Sequence, residues 1–161
     1  MAIARVVARK LRHFLRRPRF ERFCFVPAWL LLGVSRALIL SIPLRKLAPW
    51  LGVSVSDREH FAQLTERQKY HALHIGRAVR WAACYTPWDS NCFAQALSAR
   101  LLLGLFRVPY VIFFGAARDA DGVALVAHAW VTAADIRVTG GPGSERFTVV
   151  GCFVASQLLA S

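Results

Sequence analysis

Apolar positions recur at helical spacing through roughly the first hundred residues of this chain and at strand spacing after that. Val6, Val7, Leu11, Phe14 and Leu15 fall near one side of a stretch otherwise rich in arginine, which predicts a basic helix or a frayed arm over residues 1–19. A dense apolar run predicts a helix over 24–40, stopped by Pro43. Ile42, Leu44, Leu47, Trp50 and Leu51 form a short second element, ended by Gly52. Ser56 with Glu59 three residues on has capping-box spacing and predicts a helix from Asp57 to Cys84, broken near Gly76. Asp89, Ser90 and Asn91 are consecutive N-cap types, and strong helix formers follow from Phe93 to about Leu105, with Cys92 in the first turn. The period then changes. Val108–Gly115 is β-branched and aromatic and reads as a strand, and Asp121-Gly122 marks a turn. Val123–Thr132, a short Ile136–Thr139 and Phe147–Val154 read as further strands, with Gly140-Gly141-Pro142-Gly143 breaking the sheet. Helices followed by an antiparallel meander define an α+β fold class.

Length changes this picture little: 161 residues suffice for one domain with a real core, here 20–161 behind a 1–19 arm. Charge changes it more. The net charge is +12, and residues 1–19 hold Arg5, Arg9, Lys10, Arg12, Arg16, Arg17 and Arg19 with no acid among them. Such an excess points to anionic partners. Nucleic acid is disfavoured, because the sheet aromatics lie in apolar runs without interleaved Lys or Arg. A peripheral membrane contact fits better, since basic residues precede an apolar segment and 56% of the chain is hydrophobic. Its longest uncharged section, Phe23–Ser35, has 13 residues, against the roughly 20 that span a bilayer. The segment therefore reads as a buried or interfacial helix rather than a signal peptide or a span.

Cys24, Cys84, Cys92 and Cys152 form no CxxC pair and have no nearby histidine. They read as reduced thiols of a cytoplasmic protein, with no zinc and no other cofactor. His71 and His74 lie one helical turn apart but lack an evident third ligand.

Two residues carry candidate chemistry. At a helix start, Cys92 meets the positive end of the helix dipole and free N–H groups, which favour a thiolate and can make a nucleophile. The alternative is a small hydrophobe packed in the core. His128, in Ala127-His128-Ala129-Trp130-Val131, shares a strand face with Trp130. A helix-start Cys followed by a strand His is the arrangement of cysteine hydrolases, where imidazole takes the thiol proton. Asp135 and Asp89 are the acids nearest the two, and Gln95 reads as a helix-surface residue.

The Ser90-Asn91-Cys92 helix start, the Ala96–Leu103 helix, Pro109–Gly115 with Arg118, His128-Ala129-Trp130-Val131 and Gly141-Pro142 occur in this order behind an apolar Trp29–Gly52 region. In this the chain resembles the stand-alone, transglutaminase-like leader peptidases of lasso-peptide biosynthesis, over roughly residues 20–155. The resemblance implies a papain- or transglutaminase-like scaffold and a cysteine peptidase that cuts a precursor peptide at its leader–core junction. A separate leader-recognition protein and an ATP-dependent lasso cyclase would be its partners. Carried over by residue, Cys92 is the nucleophile and His128 the general base. The family's aspartate on the return strand falls at Gly140 here, which has no side chain. In a tight hairpin turning at Ala133-Ala134, Thr139 would face His128. Asp135 would then sit at the turn, more than about 10 Å from His128; a longer loop or a bulge would bring it closer and make it the candidate for orienting the imidazole. Asp89, or a backbone or Thr139 contact, is the alternative.

Overall fold

The computed structural model describes residues 14–55, 63–119 and 121–155. Among these residues four helices precede most of a five-stranded antiparallel sheet, the expected α+β arrangement with N-terminal helices. Helix α1 (Arg19–Ser41) takes Pro27 in its interior and ends before Pro43, whose fixed φ then opens α2 (Leu44–Leu51). Gly52 ends α2 at a φ of 135°, where a side chain would run into the Val154 carbonyl. The two-residue strand β1 (Val53–Ser54) follows.

Helix α3 (Glu66–Ala83) starts later than its sequence suggests. Its capping box is formed by Thr65 and Gln68, whereas the Ser56–Glu59 box lies outside the described residues. The Gln68 amide N–H donates to Thr65 Oγ1 at 3.3 Å, and the Thr65 N–H donates to Gln68 Oε1 at 3.0 Å. Nor does α3 break at Gly76: the glycine lets the Val138 carbonyl approach the helix where a Cβ would collide with it.

Helix α4 (Cys92–Leu105) is the centre of the fold. It packs between α1 and α3 on one side and strand β3 (Leu125–Ala133) on the other. Ala94, Ala96, Ser98 and Ala99 are wholly buried, small enough for neighbouring backbones to come close. Strand β2 (Val111–Arg118) pairs with β3, and Ile112, Phe114, Ala129, Val131 and Ala133 join the core around α4.

The sheet is not a simple meander. Its order is β1-β5-β2-β3-β4, with β4 (Ile136–Arg137) at one edge and β5 (Thr148–Val154) returning to pair with β2. A register shift in β2–β5 falls between Phe114 and Gly115, beneath the Trp130 and Phe147 side chains.

Helices α1 and α3 are joined by buried polar chemistry. Glu21 is 1% exposed and accepts from His74 Nδ1 at 2.7 Å and from Arg17 at 3.1 Å. Beside this pair His71 stacks on Phe20 at 4.8 Å and meets Phe106 at 4.9 Å. Burial first, then the charges of Arg67 and His74, hold the His71 pKa below its ordinary 6.5. The part of the basic arm nearest the domain is docked as well: Phe14 lies against Trp81, and the Arg17 guanidinium sits 4.3 Å over the same ring.

Two outcomes are expected from these contacts. Gly76→Ala should lower stability by about 1–3 kcal/mol despite alanine's better helix propensity, because the Val138 backbone must move; urea denaturation checks this. His71 is held neutral, so the stability tied to it is complete above the unfolded value of 6.5. It is lost as pH falls through that value toward the lower folded one. The urea midpoint should therefore fall more between pH 7.5 and 5 in the native chain than in His71→Phe.

Candidate active site

One hydroxyl gathers much of the loop before α4. Thr86 Oγ1 lies within hydrogen-bond distance of the Ala83 carbonyl (3.0 Å), the Trp88 carbonyl (3.1 Å) and Ser90 Oγ (2.8 Å). Asn91 then caps the helix, its side chain accepting from the Ala94 amide at 3.0 Å. Cys92 is the first helical residue, half-buried against the core. At this position its backbone N–H has no acceptor within the helix.

His128 stands on β3 opposite Gly115, and β4 pairs only with Thr132 and Ala133, so the His128 end of the strand is a sheet edge. Its ring stacks on Phe147 at 4.9 Å and on Trp130 at 5.8 Å, the face shared with Trp130 that strand alternation predicts. His128 Nε2 lies 2.8 Å from the Gly140 carbonyl oxygen. A carbonyl only accepts, so Nε2 carries the proton, and the neutral imidazole keeps its lone pair at Nδ1.

Cys92 and His128 line one cavity of about 600 Å³, with Arg80, Ala83, Cys84, Trp88, Asp89, Ser90, Gln95, Gly140 and Gly141. The structure thus brings the expected thiol and imidazole to one cleft, though no hydrogen bond joins them among the described residues. A second cavity of about 640 Å³, lined by Arg16, Arg17, Arg77 and Arg80 around Glu21, adjoins it through Arg80 and Cys84. Among the described residues no group of three His, Cys, Asp or Glu side chains gathers as a metal site.

Asp135 is not part of this cleft, which corrects the sequence expectation. It is an exposed residue of the Ala134-Asp135 turn joining β3 to β4. Five residues of strand separate His128 from Ala133, about 16 Å at strand rise. Asp135 instead lies towards Lys69, which is held protonated mainly by Glu66 and in small part by Asp135. Thr139 does not face His128 either. The Val138 and Thr139 amides both donate to the Val131 carbonyl, a local bulge; Thr139 is buried, and the Gly140 carbonyl reaches the imidazole. The backbone contact at the Gly140 position is the arrangement observed.

Other residues complete the cleft walls. Asp89 pairs with Arg36 at 3.5 Å while lining the cleft. Gln95 is not a plain surface residue: its Nε2 donates to the Ser90 carbonyl at 2.9 Å inside the cleft. Trp88 lines the cleft and packs on Trp29 at 4.8 Å. Arg80 has no sequence signal at all. It reaches the cleft because α3 crosses beside Val138, whose carbonyl accepts from its guanidinium.

A thiol at a helix N-terminus and a strand imidazole of fixed tautomer, set in an α+β domain, define a cysteine-hydrolase type of architecture. The chain belongs to the transglutaminase-like superfamily, whose family model matches residues 34–152. That superfamily includes cysteine peptidases. Comparisons with curated proteins and with solved structures returned no match.

Gly140 has a φ of +98°, and a Cβ there would collide with Trp130 Cβ. Gly140→Ala is therefore expected to displace the carbonyl and slow alkylation of Cys92, at a stability cost of about 1–3 kcal/mol. Asp135→Asn should leave the alkylation rate unchanged. Iodoacetamide labelling mapped by mass spectrometry, with thermal melts alongside, checks both.

Proposed function

We propose that this chain is a cysteine peptidase that removes the leader from a ribosomally made lasso-peptide precursor. It would act in the cytoplasm with a separate leader-recognition protein and an ATP-dependent cyclase. The observation that carries the peptidase reading is the shared cleft, in which a helix-start thiol and a histidine with Nδ1 as its basic nitrogen line the same walls. The leader specificity rests on the ordered segments from Trp29 to Pro142 that resemble lasso leader peptidases.

In this reading His128 Nδ1 accepts the proton of Cys92 Sγ, and the thiolate attacks the scissile carbonyl carbon. The oxygen gains the electron pair and is met by the Cys92 backbone N–H at the positive end of α4. The C–N bond breaks as imidazolium returns its proton to the departing amine, leaving a thioester. Water then attacks the thioester with His128 again as base, releasing the leader carboxylate and the thiol.

The four cysteines offer an internal control. Burial pushes the Cys24 thiol up to about 11, so it should stay unlabelled near neutral pH. Cys84 is exposed and lines the same cleft. With limiting iodoacetamide across pH 5 to 9, Cys92 is expected to react at lower pH than Cys84, and His128→Ala should remove that advantage without changing Cys84. Precursor cleavage with the recognition protein present should fall at least about 10²-fold in Cys92→Ala and in His128→Ala. Unchanged cleavage in Cys92→Ala would overturn the mechanism. Cys92 activation with no cleavage of a lasso precursor would retain the hydrolase and remove the specificity.

A further inference from the structure

Helix α1 is apolar on both sides, and only one side is covered. Glu21, Cys24, Ala28, Leu32 and Ser35 are buried, on a helix packed against α3 and α4. On the opposite side Phe23 is 67% exposed, Val26 59%, Leu30 55% and Val34 53%. These positions are three or four residues apart and so form one continuous stripe. A surface helix of a soluble domain ordinarily turns polar residues outward, and an apolar stripe of this length marks a contact surface.

The surrounding charge identifies the occupant. Residues 14–55 contain Arg16, Arg17, Arg19, Arg22, Arg36, Arg45 and Lys46 against a single acid, Glu21, which is buried in its ion pairs. Arg16 and Arg19 are exposed before the stripe begins. After it ends, exposed Leu40, Leu44 and Trp50 stand in sequence beside exposed Arg45 and Lys46. A second copy of the chain, at net +12, would bring like charge onto like charge. An anionic bilayer supplies both a hydrocarbon boundary for the stripe and phosphate charge for its rim.

We propose that the outer face of α1 docks this protein on an anionic lipid surface, the helix lying in the plane of the interface. By length and composition α1 could cross a membrane. Its inner face holds it flat, through the Glu21–His74 contact at 2.7 Å and the buried Ser35–Ser98 hydroxyl contact at 3.1 Å. Both would be broken if the helix left the domain to span. This docking is independent of the peptidase reading, since none of the stripe residues lines the Cys92 cleft.

The test is co-sedimentation of the full chain with phosphatidylcholine vesicles, plain or containing roughly a third phosphatidylglycerol. Binding to the anionic vesicles is expected, weakening as salt rises from about 0.05 to 0.5 M. Leu30→Glu with Val34→Glu should cut the partition coefficient at least about tenfold, given the apolar area lost from the interface. Both sites are exposed, so the thermal melt and the Cys92 labelling profile should be retained and will report an intact fold. No sedimentation with anionic vesicles, or undiminished partition in the double variant, overturns the proposal; in the first case the stripe belongs to a protein partner.

Discussion

The peptide segment 138–141 ties helix α3 to strand β3, and the state of the imidazole depends on it. The Val138 carbonyl lies against Gly76 and accepts from Arg80, while the Val138 and Thr139 amides donate to Val131. Only with both sides pinned does the Gly140 carbonyl arrive 2.8 Å from His128 Nε2. Two glycines make this close packing feasible, Gly76 by removing a side chain from the helix surface and Gly140 by accepting a positive φ beneath Trp130. The tautomer of one ring is thus set by backbone packing that reaches into another layer of the fold.

Helix α1 shows a second constraint: both of its faces are apolar, and polar groups are set within the buried one. Its inner face carries Glu21 and Ser35, and its outer face carries Phe, Val and Leu. Burying Glu21 is costly unless its charge is met, and here His74, Arg17 and Arg77 surround it at 2.7 to 3.7 Å. Such contacts act as a register lock between α1 and α3. Apolar residues left outside are then free to serve another surface, whereas a purely apolar inner seam would let the helix slide or roll.

Local signals were legible in the sequence, and long-range ones were not. The start of α4 could be read because Asn91 is a strong cap and the residues after Cys92 favour helix. The shared face of His128 and Trp130 follows from strand alternation alone. Asp135 stays out of the cleft because the hairpin is tight and holds it in the Ala134-Asp135 turn, with no longer loop to carry it back towards His128. Loop closure of this kind leaves no mark in residue type. The start of α3 was misplaced because Ser56–Glu59 and Thr65–Gln68 both have the spacing of a cap, and local pattern does not choose between them. The return of β5 to β2, and the presence of Arg80 and Gln95 in the cleft, depend on tertiary contacts that no window of sequence contains.

A carbonyl in place of a carboxylate changes what His128 can do. An aspartate would fix the tautomer and also stabilise imidazolium with a full negative charge. The Gly140 carbonyl fixes the tautomer with a dipole only. For a serine nucleophile that loss would be severe, because a hydroxyl is a far weaker acid than imidazolium. A thiol is ordinarily far closer in acidity to an imidazolium than a hydroxyl is, so its proton asks much less of the acceptor. In the proposed peptidase, a cysteine at position 92 is therefore the kind of nucleophile that this neutral acceptor can serve, and a carbonyl at Gly140 is consistent with a two-residue site completed by backbone.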